Sequence, residues 1–260
     1  MKKNLLISAI FILFTASGFS QLRPASEYLH KEEYAPKMNL FKVNLTALPL
    51  NNFSFQYERV FTKRFSAAIS YRLMPEGTIP FKESIKRQID SDDPDTERII
   101  DNFTLSNFAV TPEIRFYLGK KGYGRGFYIA PFFRYAGYEG NNFEFFYDDE
   151  NNVQQSISLR GSIKSNTAGI MFGAQWSLGR HFLLDWWILG PHAGFGKGDL
   201  TGISSRTLTA DEQEQLRENL EDFEIPLVKK TVSVNANGAT MNLDGFWSGI
   251  RAGISFGFKF

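Results

Sequence analysis

The sequence predicts an all-β protein, namely an eight-stranded antiparallel transmembrane β-barrel with long extracellular loops and one short loop helix. Eight stretches alternate large apolar residues with polar or small ones, as strands with two unlike faces do. After the first twenty residues no stretch is apolar over eighteen positions, which argues against a membrane-spanning helix. The connections between the stretches alternate between short and long, as they do in outer-membrane barrels.

The composition excludes several classes of protein. The chain has 260 residues, with 29 Lys and Arg against 28 Asp and Glu, 26 Phe and no Cys. The balanced charge argues against nucleic acid as a partner, and the aromatic content argues against a disordered chain. Without cysteine there is no disulfide scaffold, no thiolate metal ligand and no thiol nucleophile.

The N-terminus has the pattern of a cleaved signal peptide. Lys2 and Lys3 precede an apolar run over residues 5–14, and small residues follow up to Ser20. We therefore divide the chain into a signal peptide (1–20), a periplasmic segment (21–37) and the barrel (38–260). An uncleaved interfacial anchor is the alternative. The expected location is the outer membrane of a Gram-negative bacterium.

The eight alternating stretches place one apolar and one polar face on each strand. They cover residues 41–47, 53–58, 65–73, 107–116, 127–136, 170–177, 182–188 and 250–260. A soluble sandwich would turn the apolar face inward, whereas a membrane barrel turns it toward lipid. Connection lengths favour the barrel, because 62–64, 119–126 and 179–181 are short, and three of the other four are long: 75–102, 139–156 and 194–244. Pro112 and Pro131 fall nearly opposite one another and predict a bulge or irregular pairing.

The polar face of the strands carries charged residues that would point into the lumen. An eight-stranded barrel is just wide enough for side chains to fill, and buried charges persist when they are paired. We therefore predict a lumen ion-pair network in which Glu113 and Arg134 are diagonal neighbours, with a gated ion path that favours anions as the alternative. By parity its members are Glu58, Arg72, Glu113, Arg115, Arg134, Asp185, Arg251 and Lys259.

The 194–244 connection predicts a short amphipathic helix. Thr209 is a suitable N-cap, and Leu216, Leu220 and Phe223 form one apolar stripe. This face either caps the mouth of the barrel or docks a partner protein. The Asn237-Gly238 pair predicts a hairpin that extends the strands above the membrane.

Signals for chemistry are weak. The acidic 75–102 connection lacks a twelve-residue calcium-loop pattern and is interpreted as solvated, with a metal site as the alternative. His192 is the one histidine near the outer rim, and alternation from Asp185 turns it outward. No nucleophile elbow, zinc-binding helix or phosphate loop occurs, so we predict no cofactor, no metal and no catalytic residue.

The C-terminus resembles the β-signal of outer-membrane proteins, which ends in an aromatic residue after alternating apolar positions. Here its residues are Ile254, Phe256, Phe258 and Phe260. Residues 111–118, 126–134 and 184–192 resemble a family of small OmpA/OmpX-like barrels from Bacteroidota, of unassigned function. The resemblance implies insertion by the barrel-assembly machinery and contact with outer-membrane lipid and lipopolysaccharide.

The expected function is a structural or protein-interaction role. The protein would be a surface component or an accessory subunit, in which case another outer-membrane protein is its partner. A small-solute or ion channel is the first alternative, and a lipid-modifying outer-membrane enzyme is the second.

Overall fold

The computed structural model describes residues 36–89, 94–148, 153–204, 206–222 and 227–260. The predicted signal peptide and most of the periplasmic segment lie outside these ranges, so their predictions stay untested. The strands within them are β1 (Asn39–Asn44), β2 (Phe53–Val60), β3 (Phe65–Thr78), β4 (Thr104–Tyr117), β5 (Gly126–Asp148), β6 (Gln154–Leu178), β7 (Phe182–Ile203), β8 (Val228–Asn235) and β9 (Gly238–Lys259). The helices are α1 (Lys82–Ile89), α2 (Pro94–Asn102) and α3 (Ala210–Asp222), with a 3-10 turn at Leu48–Leu50.

The nine described strands form one antiparallel sheet that closes on itself. Each strand from β1 to β7 pairs with the next, β7 pairs with β9, and β9 pairs with β1. Eight strands therefore make the ring, and β8 adds a ninth along the outer part of β9. This confirms an all-β antiparallel fold, and the hairpin lies at the predicted Asn237-Gly238 pair.

Several strands are longer than predicted, and two predicted loops were wrong. β5 continues to Asp148 and β6 begins at Gln154, so the 139–156 connection shrinks to 149–153. β7 and β9 likewise extend into 194–244. The 75–102 connection carries two helices, α1 and α2, that were not predicted because both are short and highly charged.

The extensions were missed because the polarity of the strands reverses along their length. In the half of β6 nearest the short connections, Ile170 and Phe172 face outward and are exposed, whereas Gln175 is buried inside. In the other half, Ile157 and Leu159 are buried inside, and small polar residues such as Ser158 face outward. The period of two continues, but the apolar residues move to the inner face. We call these two parts the short-turn half and the extended half.

The extended half has an apolar core that includes α3. Leu216 and Leu220 are both 0% exposed and pack in this core. The other buried members are Ile157, Leu159, Leu208, Val234, Ala239, Met241 and Leu243. Phe223, the third predicted residue of the stripe, lies outside the described residues. The helix is anchored to β5 by Asn219, whose amide donates to the Phe146 carbonyl at 3.2 Å.

The start of α3 is a capping box. The Glu212 N–H donates to Thr209 Oγ1 at 3.4 Å, and the Thr209 N–H donates to Glu212 Oε2 at 2.9 Å. We expect Thr209→Ala to destabilise α3 by about 1 kcal/mol, because it removes the N-cap acceptor. Hydrogen exchange of the α3 amides should accelerate while exchange in the short-turn half stays unchanged. Equal exchange in both proteins would contradict the capping role.

Glu212 should make the anchoring of α3 sensitive to acid. The hydrogen bond from the Thr209 N–H, followed by the contact with Arg206, holds the pKa of Glu212 below its ordinary value of 4.5. A carboxylate whose pKa is lowered in the folded state stabilises the fold at pH values above its ordinary pKa. This contribution is lost as the pH falls through the pKa that the group has in the folded protein. We expect α3 amide protection to decline below pH 4.5 in the wild type. Glu212→Gln should abolish that part of the decline.

The two prolines interrupt pairing without a bulge. β4 and β5 keep one register, with Val110 opposite Tyr135 and Glu113 opposite Phe132, but the ladder between them is broken near Pro112. Proline lacks the N–H that a ladder bond needs, which accounts for the break.

None of the helices in the described ranges is long and apolar enough to cross a membrane.

Candidate functional site in the charged interior

The short-turn half encloses a cluster of ionised side chains, which we call the interior network. It consists of three cations and three carboxylates, each at most 8% exposed. They come from β1, β2, β4, β7 and β9, and they are Lys42, Glu58, Glu113, Arg115, Asp185 and Arg251. The alternation of the strands places all of them on the inner face, so the network follows from the sheet register.

Arg115 lies at the centre of the network. Its Nη1 is 2.7 Å from Asp185 Oδ2 and 3.1 Å from Glu58 Oε2, and its Nη2 is 2.6 Å from Glu113 Oε1. The guanidinium also lies over the Tyr128 ring, 4.3 Å from its centroid. One arginine therefore links carboxylates from three strands.

Lys42 is the second central cation, and it was not among the residues predicted for the lumen. Its Nζ is 2.5 Å from Glu58 Oε2, 2.7 Å from Asp185 Oδ2 and 2.6 Å from Gln175 Oε1. The signal was present, because Lys42 alternates with Phe41 and Val43 on the first strand.

Neutral donors complete the coordination of the carboxylates. Glu58 Oε1 accepts hydrogen bonds from the Tyr117 and Ser66 hydroxyls, both at 2.6 Å. Asp185 accepts from the Tyr128 hydroxyl at 2.8 Å and from Trp187 Nε1 at 3.2 Å. Because charges balance and both oxygens of each acid are bonded, the network meets the condition under which buried ions are tolerated.

Three of the eight residues predicted for the lumen lie apart from these ion pairs. Arg134 is the diagonal neighbour of Glu113, as the register requires, but it donates to Thr111 Oγ1 at 3.3 Å. The ion partners of Glu113 are Arg115 and Arg251. Arg72 lies with Arg134 on the side toward the extended half, and Lys259 donates to the Gly179 carbonyl at the short-turn end.

His192 faces inward, and the outward prediction was wrong. The register between β7 and β9 shifts between Trp187 and Gly190, so strict alternation from Asp185 no longer holds beyond this point. The His192 ring lies 6.0 Å from the Phe132 ring, which is buried inside. Its charged neighbours are arginines, with no carboxylate in contact among the described residues, so the geometry does not build a charge-assisted base there.

The four C-terminal apolar residues all face outward. Ile254, Phe256 and Phe258 alternate with inward residues and remain substantially exposed, as does Phe260. Phe256 stacks on Phe182 of β7 with ring centroids 5.5 Å apart. Leu216 and Leu220, by contrast, are buried against the extended half and present no surface to a partner.

These features define a closed antiparallel sheet with an ionised, side-chain-filled interior. The chain belongs to the family described as "Protein of unknown function (DUF3575)", which matches residues 27–196. The match covers the strands from β1 to most of β7 and leaves out α3, β8 and β9. No curated protein and no solved structure matches the chain.

Proposed function

We propose that this protein is an integral outer-membrane β-barrel of the small OmpA/OmpX-like type, like those of Bacteroidota, with a structural or protein-interaction role at the cell surface. The reversal of polarity along the strands carries the proposal. The short-turn half is apolar outside and ionised inside, whereas the extended half is polar outside and apolar inside. A protein wholly in water gains nothing from the first arrangement.

The exposed apolar surface has the height of a membrane. Outward apolar positions on β3, β4 and β5 span nine residues each, at 65–73, 108–116 and 127–135. A tilted strand needs about 9–11 residues to cross the hydrocarbon core. At the centre of one such span, Ile69 is 50% exposed.

The boundary of this surface is sharp on β7 and β9. Phe195 and Phe246 are paired across the two strands and face outward. One outward position further along, Lys197 and Asp244 form an exposed ion pair at 2.8 Å. Aromatic residues followed by charges are what the interface of a membrane barrel requires. In this orientation the extended half and α3 project from the membrane as the surface available to a partner.

Membrane insertion can be tested on the full chain in its host. We expect the protein in the outer-membrane fraction after alkaline extraction, and we expect unheated samples to migrate faster on denaturing gels than boiled ones. Co-purification in mild detergent, with crosslinks in the extended half, would identify an accessory role. A protein that remains soluble and monomeric without detergent would overturn the proposal.

The closed interior predicts that the channel alternative fails. Arg115, Lys42 and Asp185 are 0% exposed, and their ion pairs cross the interior at one level. We therefore expect liposomes containing the purified protein to show no swelling with small sugars or amino acids, measured beside a porin. Swelling above that of empty liposomes would contradict a plugged interior.

A further inference from the structure

The wall of the ring has a side opening. On the edge of β9 away from β7, residues 238–245 pair with β8 and residues 255–259 pair with β1. Next to these pairs, Phe246 bonds Leu227, and Ile254 bonds Leu45 and Thr46. Over residues 247–253, no strand of the described ranges pairs with this edge. β1 ends at Asn44, and the chain turns away through the 3-10 turn at Leu48–Leu50. Backbone N–H and C=O groups that face hydrocarbon without a partner raise the free energy of the fold. A polar ligand at this edge would therefore be stabilising.

A cavity of about 220 Å³ lies behind the opening. Its lining includes Arg251, which points inward from β9, and also Ile250 and Ala252, which point outward from the same strand. Since residues from both faces of β9 line it, the cavity lies along the unpaired part of the edge of this strand, at the gap in the pairing of the wall.

The cavity carries excess positive charge. Arg72, Arg134 and Arg251 line it, and no carboxylate does. Arg251 contacts Glu113 at 3.3 Å, whereas Arg134 has the neutral acceptor Thr111. The Tyr138 hydroxyl is a neutral partner of both Arg72 and Arg134, and the buried Arg72 Nε has no hydrogen-bond partner. Arg251 is balanced by Glu113 within the interior network, so the charges without a counter-charge are those of Arg72 and Arg134. Buried cations without counter-charges are costly, which makes the cavity a site for an anion.

The chemistry and size of the cavity select the anion. Guanidinium groups match phosphate oxygens in paired hydrogen bonds, and polar side chains including Asn52, Ser54 and Ser70 supply further donors. A pocket for a drug-sized ligand is about 300–1,000 Å³, so this cavity holds a head group and not a whole lipid. The rim is apolar, since Leu50 is exposed and Ile250 is 70% exposed.

We propose that this side cavity binds the phosphate head of an anionic amphiphile whose hydrocarbon chain stays outside the wall, against the rim. The lateral approach rests on the proposed membrane location. Phosphate binding by the three arginines does not rest on the membrane location, since it depends on the cavity alone.

The full chain purified in dodecyl maltoside would be titrated calorimetrically with dodecyl phosphate and with inorganic phosphate. We expect one dodecyl phosphate per chain, bound at least tenfold more tightly than inorganic phosphate. Arg72→Gln combined with Arg134→Gln should weaken binding by at least about tenfold, because charge-assisted hydrogen bonds are lost. These two arginines have no acidic partner among the described contacts, so the variant should keep its folded gel mobility. Arg160→Gln, an exposed arginine on the extended half, is the matched control and should bind as the wild type does.

A second pair of variants tests the side opening. Ile250→Trp should obstruct it and weaken dodecyl phosphate binding, whereas Ile254→Trp, outward on the same strand, should not. Equal affinity for inorganic phosphate and dodecyl phosphate would identify a site for the free anion and overturn the amphiphile. Wild-type binding by the double arginine variant, or no binding of either probe by the wild type, would overturn the site itself. Neither result depends on the fractionation test of membrane location.

Discussion

Ile69→Arg is expected to lower the free energy of unfolding in lipid by about 2–4 kcal/mol, the cost of an arginine at the bilayer midplane on the outer face of a barrel. Ile69 is half exposed at the centre of the outward apolar span of β3. In a water-soluble protein an equally exposed isoleucine would tolerate arginine with a change within about 0.5 kcal/mol. The substitution therefore discriminates between the two environments of the same fold.

The matched control is Ser158→Arg. Ser158 faces outward from β6 in the extended half, where the outer surface is polar, and we expect a change within about 0.5 kcal/mol. Both variants would be refolded into phospholipid vesicles and unfolded with urea. If Ile69→Arg is as well tolerated as Ser158→Arg, the short-turn half does not face lipid.

The sheet could be predicted from the sequence because one physical rule governs the short-turn half. Large apolar residues face outward there, and on most strands they alternate with inward polar or small residues. The extended half obeys the opposite rule, with Ile157 and Leu159 inside and mostly polar residues outside. A search for large apolar residues on one constant face therefore ends where the polarity of the two faces reverses.

The inward-facing residues could be predicted wherever inward and outward positions alternate regularly along a strand. Glu58, Glu113, Arg115, Asp185 and Arg251 come together as neighbours across strands. The register shift after Trp187 turns His192 inward, and a shift of this kind leaves no mark in the local alternation. Which cation pairs with which acid depends on the register of strands far apart in sequence. Arg134 is therefore the diagonal neighbour of Glu113, as predicted, whereas the ion partners of Glu113 are Arg115 and Arg251.

Asp185→Asn is expected to destabilise the protein by about 3–5 kcal/mol, the cost of breaking a buried ion pair from one side. Asp185 faces both central cations, and it also accepts from Tyr128 and Trp187. An asparagine keeps the shape but leaves Lys42 and Arg115, both 0% exposed, with one positive charge that has no counter-charge. The measurement is the urea midpoint in vesicles, with unchanged slope as the sign of an unchanged fold.

Asp244→Asn provides the comparison, since it removes the same charge from an exposed pair with Lys197. Exposed pairs contribute about 0–1 kcal/mol, so its effect should be small. Combining Asp185→Asn with Lys42→Met restores the balance of two cations and two carboxylates in the network. The double variant should therefore lose less stability than the two single variants together. Strict additivity would show that the charges act independently and that their balance does not hold the interior closed.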